Sequence, residues 1–495
     1  MSKSRLRHHC YRIVGILAIF LFVCVQSACA ASEQLPVNSS DAPEVTSWET
    51  VGNVPGIILE SLLRTADGGY AYLGCTRSYT DDQGKLARDV VAGEVSKAGE
   101  VLWQMTLGDT PVYARSLIPS ADGGYLVLGY NESYGKYRTD IATGSKTWLI
   151  MLSPKGEIQW RKDAIGGTDY GMGIEIIPAR DGGYVFVGQS LDEDDYANSL
   201  ASDDEKKEML EGLPVSSIPN ELFAEIAMSS YLDIWIVKLD PAGEVEWQKK
   251  YGGTDSEQAC AIIPDGDGGY VVVGDARSTD GDVSGGHGSR DIWILNVDSD
   301  GDLKWQKAIG GSGLDRAAGA VRTPDGKYIV LGVTLSRDGD LSQRSGNGSS
   351  IVAKLLPSGD LSRIQTIGEK NPGLFHAMTS TRDGGCIIAE RPYSGLGERL
   401  IRLDGTGQTL WQMTVENVSS IVDLQPVVGG IAVTGLDKPG NVCFFTLGDE
   451  EAGLLPGQAD ASAQASGPSA PLSLWPLIAA LGISAIVLAR RRSGR

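Results

Sequence analysis

The chain has 495 residues, of which 42% are hydrophobic and 21% charged, and its formal net charge is −20. Many of the acidic residues are expected to lie on the solvated surface. The excess of negative charge argues against binding to nucleic acid. Beyond residue 30 there are only two histidines, His287 and His376. That scarcity argues against a metal site built from several histidines and against a histidine-dependent catalytic triad.

The first 30 residues have the layout of a secretory signal peptide. Basic residues come first, an apolar run follows over 13–25, and Ala28-Cys29-Ala30 provides a cleavage site flanked by small residues. Cys29 also raises the alternative of a lipoprotein, although Gln26 stands where a lipobox has an aliphatic residue. Residues 31–44 are interpreted as a linker.

A turn motif, Asp-Gly-Gly-Tyr, recurs through the chain and defines an internal repeat. It begins at Asp67, Asp122, Asp181 and Asp267, with variants at Asp325 and Asp383 and a degenerate copy at Val428. These positions make seven units. In the fourth unit, turn residues separate four segments typical of β-strands: 258–263, 270–274, 292–297 and 303–309.

A tryptophan in the last strand of each unit gives an independent count. Arg363 takes its place in the fifth unit, the last unit lacks this strand, and Trp48 precedes the first Asp-Gly-Gly-Tyr turn. The two counts agree if the N-terminal strand around Trp48 completes the last unit. The sequence therefore predicts an all-β, seven-bladed β-propeller of four-stranded blades over 45–449, closed by the N-terminal strand. The tryptophans are expected to fill the wedges between blades: Trp103, Trp160, Trp247, Trp305 and Trp411.

The repeat pattern, Asp-Gly-Gly-Tyr followed by Asp-x-Trp, Asp-x-x-Gly-x-x-x-Trp and Gly-Gly, resembles the exported β-propeller repeat proteins of bacteria and archaea. The resemblance covers residues 45–449 and implies a fold and an exported location more than an activity. Asp240-x-x-Gly243-x-x-x-Trp247 is also similar to quinoprotein-type propellers. Those usually have eight blades and a dedicated cofactor pocket, and neither is indicated here.

Loops of variable length are predicted on one face of the propeller, where binding sites usually lie. The longest is an insertion in the third blade, 191–232, in which 203–213 and 221–228 have the pattern of short helices. We expect this insertion to cap or flank the mouth of the central channel. The alternative is that the insertion has no functional role.

Two of these loops place oxygen ligands at alternate positions around a glycine, a pattern that suits Ca²⁺. Neither loop has the closing glutamate of an EF-hand, so ordinary polar turns are the alternative. No other cofactor is predicted. The candidate calcium ligands are Asp280, Asp282 and Ser284 in one loop and Asp338 and Asp340 in the other.

Three aspartates that follow Gly-Gly pairs are expected to ring the channel mouth: Asp169, Asp255 and Asp315. Paired carboxylates there could act as acid and base, as they do in glycosidases. Their recurrence in several units suits a structural turn instead, and no catalytic residue is assigned. Candidate glycosylation sequons begin at Asn38, Asn131, Asn347 and Asn417.

Four cysteines lie in apolar strands, and their wide spacing predicts buried free thiols: Cys75, Cys260, Cys386 and Cys443. After them, residues 450–471 are rich in Ala, Ser, Gly, Gln and Pro, which predicts a flexible stalk.

An uncharged apolar run over 472–489 is long enough to cross a bilayer, and arginines follow in the tail 490–495. This order predicts a transmembrane helix with a cytoplasmic tail and the propeller outside the cytoplasmic membrane. It resembles the sorting tails of prokaryotic surface proteins but lacks their LPxTG, PEP and PGF motifs.

The sequence thus favours a non-enzymatic surface module that binds a protein or a glycan or serves structurally. The alternative is an exported glycan hydrolase, lyase or quinoprotein-like dehydrogenase.

Overall fold

The structure is a computed structural model. It describes residues 45–53, 57–65, 67–76, 79–80, 86–87, 89–108, 112–131, 146–167, 171–191, 232–342, 349–367, 373–392, 397–427, 430–438 and 441–448. The signal peptide, the linker, the stalk, the predicted membrane helix 472–489 and the tail lie outside these ranges and stay predictions. Within these ranges no helix is long and apolar enough to cross a membrane.

The described strands form seven four-stranded antiparallel sheets and one small hairpin. The N-terminal strand β1 (Val45–Asn53) belongs to the last sheet. Blade 1 contains β2 (Ile57–Arg64), β3 (Tyr70–Thr76), β6 (Val90–Val95) and β7 (Val101–Gly108), with the hairpin β4 (Tyr79–Thr80) and β5 (Leu86–Ala87) between β3 and β6. Blade 2 contains β8 (Val112–Pro119), β9 (Tyr125–Asn131), β10 (Lys146–Leu152) and β11 (Ile158–Asp163).

The next two blades follow the same order of four consecutive strands. Blade 3 contains β12 (Gly171–Pro178), β13 (Tyr184–Leu191), β14 (Leu232–Leu239) and β15 (Val245–Tyr251). Blade 4 contains β16 (Glu257–Pro264), β17 (Tyr270–Ala276), β18 (Asp291–Val297) and β19 (Leu303–Ile309). The strands of blade 4 lie within two residues of those predicted for the fourth unit.

The last three blades complete the ring. Blade 5 contains β20 (Asp315–Arg322), β21 (Tyr328–Thr334), β22 (Ser349–Leu355) and β23 (Leu361–Ile367). Blade 6 contains β24 (Leu374–Ser380), β25 (Cys386–Arg391), β26 (Glu398–Leu403) and β27 (Thr409–Val415). Blade 7 contains β28 (Val418–Val427), β29 (Gly430–Asp437), β30 (Asn441–Leu447) and β1. Short 3₁₀ turns occur at Ile165–Gly167 and Gly339–Leu341.

The first strand of each blade is the innermost one. First strands of successive blades contact one another around a complete cycle, which runs through β2, β8, β12, β16, β20, β24 and β28 and back to β2. The chain is therefore a seven-bladed β-propeller, and the predicted all-β fold and blade number are confirmed.

The ring closes through the N-terminal strand, as predicted. β1 runs antiparallel to β30, with Val45 opposite Leu447 and Asn53 opposite Asn441. β1 thus supplies the outer strand of blade 7, whose other three strands come from the end of the domain. Pairing the two ends of the propeller domain in one sheet leaves no blade incomplete.

Tryptophans of the outer strands pack against glycines of the next blade. The ring of Trp103 lies against Gly156 of the next blade, where an added Cβ would come within 2.3 Å of the indole. Only glycine leaves room for the indole there, and its φ of +81° also favours glycine. The arrangement recurs at three more junctions: Trp160 on Gly243, Trp247 on Gly301 and Trp305 on Gly359.

Blade 5 interrupts this series. Its outer strand carries the exposed Arg363, while blade 6 keeps the receiving glycine, Gly407. Between them lies a small open cleft, lined by Lys354 and Cys386 among other residues. The cleft marks the wedge that a tryptophan fills at the other junctions.

The four cysteines of the propeller are buried free thiols, as their spacing predicts. Burial raises the pKa of Cys386 and of Cys443 to about 12, so both thiols stay neutral. They act as small apolar side chains in the core.

We predict that Arg363→Trp stabilises the propeller by filling the cleft between blades 5 and 6. Burying an indole there is worth about 1–3 kcal/mol, which corresponds to a rise of roughly 2–4 °C in melting temperature. Differential scanning calorimetry of the full chain measures the change. Arg363→Ala is the control, because it removes the charge without filling the cleft. A tryptophan variant that melts no higher than the alanine variant would contradict this packing.

Candidate functional site

The two faces of the propeller differ in how they are built. Tight turns such as Thr65–Gly69 and Ser96–Glu100 join strands 1 and 2 and strands 3 and 4, and these turns define the hairpin face. The links between strands 2 and 3 and between successive blades lie on the opposite, variable face. Leu191 pairs with Leu232 at that edge of blade 3, so the insertion leaves and re-enters the sheet at one point. Residues 192–231 themselves, with the two predicted helices, lie outside the described residues.

The first predicted calcium loop, in blade 4, is hydrogen-bonded to the link between blades 3 and 4. Asp280 Oδ1 accepts a hydrogen bond from the backbone N–H of Thr254 at 2.9 Å. The backbone N–H of Asp282 donates to the carbonyl of Gly252 at 2.8 Å. The Ser284 hydroxyl accepts a hydrogen bond from Gln306. The aspartate oxygens of this loop therefore satisfy backbone donors.

The second predicted calcium loop, in blade 5, is hydrogen-bonded in the same way to the link between blades 4 and 5. Asp338 Oδ1 accepts from the backbone N–H of Ser312 at 2.7 Å, and the N–H of Asp340 donates to Gly310 at 3.0 Å. In the part of the chain that the structure describes, no group of three or more His, Cys, Asp or Glu side chains could hold a metal ion. Calcium binding by these loops stays a prediction.

The three aspartates predicted to ring the channel mouth do not share one environment. Asp255 is exposed, whereas Asp315 is fully buried at 0% exposure. Asp315 Oδ2 accepts from the backbone N–H of Gly311 at 2.9 Å and from the Ser336 hydroxyl at 2.6 Å. Glu257 makes the matching bond to Gly253 at 2.9 Å, so Asp315 is the counterpart of Glu257. Asp169 lies outside the described residues.

Buried carboxylates flank the first glycine of two such links. An added Cβ on Gly310 would lie 1.9 Å from Asp291 Oδ1 and 2.6 Å from Asp315 Oδ2. Burial, and then the neighbouring Asp315, raises the pKa of Asp291. Asp233 and Glu257 flank the glycine of the preceding link in the same way. Because this pair recurs, we interpret it as part of the framework.

A β-bulge interrupts the innermost strand of every blade. At each bulge one residue of the first strand has no partner on the second strand, for example Arg115 between Ala114 and Ser116. We call the seven bulged residues the axial ring: Glu60, Arg115, Ile174, Cys260, Ala318, His376 and Val422. Bulges re-aim side chains and are frequent next to functional sites.

The residues of the axial ring differ in their burial. Five of its members are partly exposed, whereas Cys260 and His376 are buried. The three apolar members, Ile174, Ala318 and Val422, pack against the hydrophobic clusters between neighbouring blades. Unlike the turns and the tryptophans, the ring is made of chemically different residues in different blades.

The residue after each bulge is small in five blades and acidic in two. The two acids are Glu175 in blade 3 and Asp423 in blade 7. Glu175 is 2% exposed, and its Oε2 accepts from the backbone N–H of Ile262 in blade 4 at 2.9 Å. Burial raises the pKa of Glu175 to about 8 and that of Asp423 to about 7. These acids break the repeat close to the axis.

His376 of the axial ring lies beside a third unrepeated acid, Glu398. Its Nε2 is 3.8 Å from Glu398 Oε1, which accepts a hydrogen bond from Arg391 Nε at 2.8 Å and forms an ion pair with Arg391 Nη2 at 2.7 Å. Burial raises the pKa of Glu398 to about 7. Burial, and then Arg391, lowers the pKa of His376 to about 4, so the imidazole is neutral at pH 7.

The axial ring is the set of residues that the sequence interpretation missed. A signal was present, because Arg115 and Cys260 each stand four residues before the proline that ends their strand. Pro178 and Pro426 follow the bulged residues of blades 3 and 7 at the same distance, so aligning these four units on the proline shows a column in which the residue type varies. Of the predicted sequons, Asn131 is partly exposed and Asn417 is exposed, whereas Asn38 and Asn347 lie outside the described residues.

Comparisons with known proteins assign neither a family nor an activity. No protein-family model matches the chain, and no curated protein sequence matches it. The structure is similar to that of Pyrococcus horikoshii acylaminoacyl peptidase, at 12% identity and a TM-score of 0.41, over 83% of this chain and 54% of the peptidase. This chain thus spans about half of the peptidase's length.

Two further solved structures are similar to the same degree. A europium-containing methanol dehydrogenase shares 10% identity, with a TM-score of 0.44, over 83% of this chain and 88% of that one. A puromycin hydrolase shares 11% identity, with a TM-score of 0.42, over 83% and 53% of the two chains. These similarities fix no activity for this chain.

We predict that Glu175→Gln reduces the loss of stability between pH 5 and pH 9. The folded-state pKa of Glu175 lies above its unfolded value, so its contribution is present below pH 4 and is lost as the pH rises through about 8. The amide keeps an acceptor for the backbone N–H of Ile262 but cannot ionise. Melting temperatures measured across this range should fall less steeply in the variant than in the wild type. Glu157→Gln, an exposed position, is the control, and equal slopes in all three proteins would contradict the assignment.

Proposed function

We propose that this propeller is a non-enzymatic binding module on the outer surface of the cytoplasmic membrane. It engages a protein or glycan partner through its variable face. It is exported by the signal peptide and anchored by the helix over 472–489. The observation that carries the proposal is the place where the two ends of the domain leave the propeller.

Both ends leave from the hairpin face. β30 is the third strand of blade 7, and in the other blades the third strand ends at the hairpin face. Leu447 at its end pairs with Val45 at the start of β1, so the two strand ends lie side by side where the other blades have a turn. A stalk that starts at residue 450 places the hairpin face toward the membrane. The variable face then points away from the anchor.

The variable face has the properties of a recognition surface. Its loops are fixed to the blade links by the Asp280 and Asp338 hydrogen bonds, so little conformational entropy is lost when a partner binds. The long insertion is rooted there at Leu191 and Leu232. The exposed carboxylate of Asp255 favours a partner with basic or hydroxyl groups at this face.

A second candidate is an exported enzyme, either a glycan hydrolase or lyase or a quinoprotein-like dehydrogenase. The unrepeated buried acids Glu175 and Glu398 favour it, because catalytic acids often have a raised pKa. A visible absorbance band in the purified protein would indicate a bound quinone. Release of reducing or unsaturated sugar ends from envelope polysaccharide would indicate a hydrolase or a lyase.

We predict that a partner crosslinks to the variable face and not to the hairpin face. A photo-crosslinking amino acid replaces either Asp255 or Asp300, which are exposed on the variable and the hairpin face respectively. In intact cells carrying the full chain, adducts are expected at position 255 alone. Replacing 192–231 by a two-residue turn should reduce the yield of adduct without lowering the melting temperature by more than roughly 5 °C. Adducts at position 300 alone, or equally at both positions, would contradict the proposed orientation.

A further inference from the structure

We propose that two outer strands of the propeller, β7 in blade 1 and β27 in blade 6, each bind an extended, uncharged strand of a partner protein. The inference goes beyond the proposed function, because it concerns the side wall of the propeller and not its variable face. Three observations carry it: both strands end their sheets, neither carries a charge, and the two share one sequence.

β7 and β27 are each the end strand of a four-stranded sheet. In the part of the chain that the structure describes, β7 pairs with β6 alone and β27 with β26 alone. Alternate N–H and C=O groups of an end strand point away from its sheet and can pair with an added strand. The pairing of both strands is free of bulges over 103–106 and 411–415, so an added strand meets an unbroken edge there.

Neither strand contains a charged residue, whereas the outer strands of the other five blades do. Arg363 lies in the outer strand of blade 5, for example, and Glu49 in β1. Charged side chains, lysine above all, are the usual protection of an end strand against pairing with another chain. Blades 1 and 6 therefore lack a protection that the other blades keep.

The contrast is sharpest two residues after the tryptophan position of the outer strand. Blades 2, 3 and 4 have a lysine there, and blades 1 and 6 have a methionine. The lysines are Lys162, Lys249 and Lys307, and the methionines are Met105 and Met413.

The lysines of this column also join neighbouring blades. Lys249 Nζ forms an ion pair with Asp302 of blade 4 at 2.6 Å, and Lys162 pairs with Glu244 of blade 3. Glu157 stands at the matching position of blade 2, where Met105 cannot form such a pair. The change from lysine to methionine gives up an ion pair and leaves the strand edge uncharged.

The two strands share the sequence Leu-Trp-Gln-Met-Thr, at 102–106 and 410–414. In both, the tryptophan and the methionine belong to the hydrophobic packing between blades. The leucine points outward instead: Leu102 is 52% exposed and Leu410 is 41% exposed. An added strand can cover this leucine while it pairs with the backbone.

The chemistry of the edge defines the partner strand. A charged side chain laid against the exposed leucine would lose hydration without gaining an ion pair from β7 or β27. The net charge of −20 on the chain also repels an acidic segment. An uncharged strand of apolar and hydroxyl-bearing residues fits. Because the two edges have the same sequence, each chain takes two such strands, one on either side of blade 7.

The test uses the full chain in detergent and a capped, uncharged hexapeptide of alternating threonine and valine that carries a benzophenone. After irradiation, mass spectrometry should map adducts to β7 and to β27, with two sites per chain. Met105→Lys should lower the β7 adduct by about tenfold or more and leave the β27 adduct unchanged, and Met413→Lys should do the reverse. Lysine occupies this column in three other blades, so both variants are expected to fold.

Three controls make the result specific. The same peptide with alternate backbone nitrogens methylated should give no adduct, because it cannot pair with an edge. Asp300→Asn, on the hairpin face, should leave both adducts unchanged. Thr414→Lys, at an exposed position of β27, replaces Met413→Lys if that variant melts below the wild type.

Selective loss of each adduct in its own variant supports the inference. Adducts on all outer strands alike, on one of the two edges only, or on neither edge overturn it. Equal adducts from the methylated peptide overturn it too, because they indicate apolar adhesion without strand pairing. Sedimentation of the wild-type chain as an oligomer that Met105→Lys or Met413→Lys dissociates would identify a second copy as the occupant and overturn the assignment to a partner protein.

Discussion

The pairing of β1 with β30 is the constraint on which the rest of the structure depends. A single four-stranded blade has two apolar faces and cannot cover both, so every blade needs a neighbour on each side. Seven blades supply those neighbours only if the first and the last also meet. The nine-residue strand Val45–Asn53 completes the last blade and ties both ends of the domain into one sheet.

Closure also explains where the molecule is uniform and where it varies. The wedges between blades accept a tryptophan over a glycine, so outer strands and hairpins repeat closely, and the cleft beside Arg363 shows the effect of one departure. The axis imposes a different condition, because seven first strands converge there and each bulge delivers one side chain. These side chains contact the neighbouring blade in different ways, as Ile174 does through the core between blades 3 and 4 and Arg115 does through Glu60 of blade 1. The residue type at the bulge therefore differs from blade to blade.

Much of this fold could be predicted from the sequence, because turns and core packing leave local signals. Asp-Gly-Gly-Tyr and the tryptophans gave the blade number, and Trp48 gave the closing strand. The candidate site was harder to predict, because a bulge adds one residue without any turn motif. Loop aspartates such as Asp280 and Asp338 have oxygen spacing that suits a cation, yet they bond to backbone donors of a distant link. That contact joins residues 26 apart and is invisible to a local pattern.

Thermal unfolding of a chain that lacks residues 45–53 tests the closure of the ring most directly. The account predicts that this deletion lowers the melting temperature by roughly 10 °C or more, or leaves the protein insoluble, because blade 7 loses its outer strand. Deleting 31–44 instead, just ahead of β1, should leave the melting temperature unchanged. A chain without 45–53 that unfolds in one transition at the wild-type temperature would contradict the account.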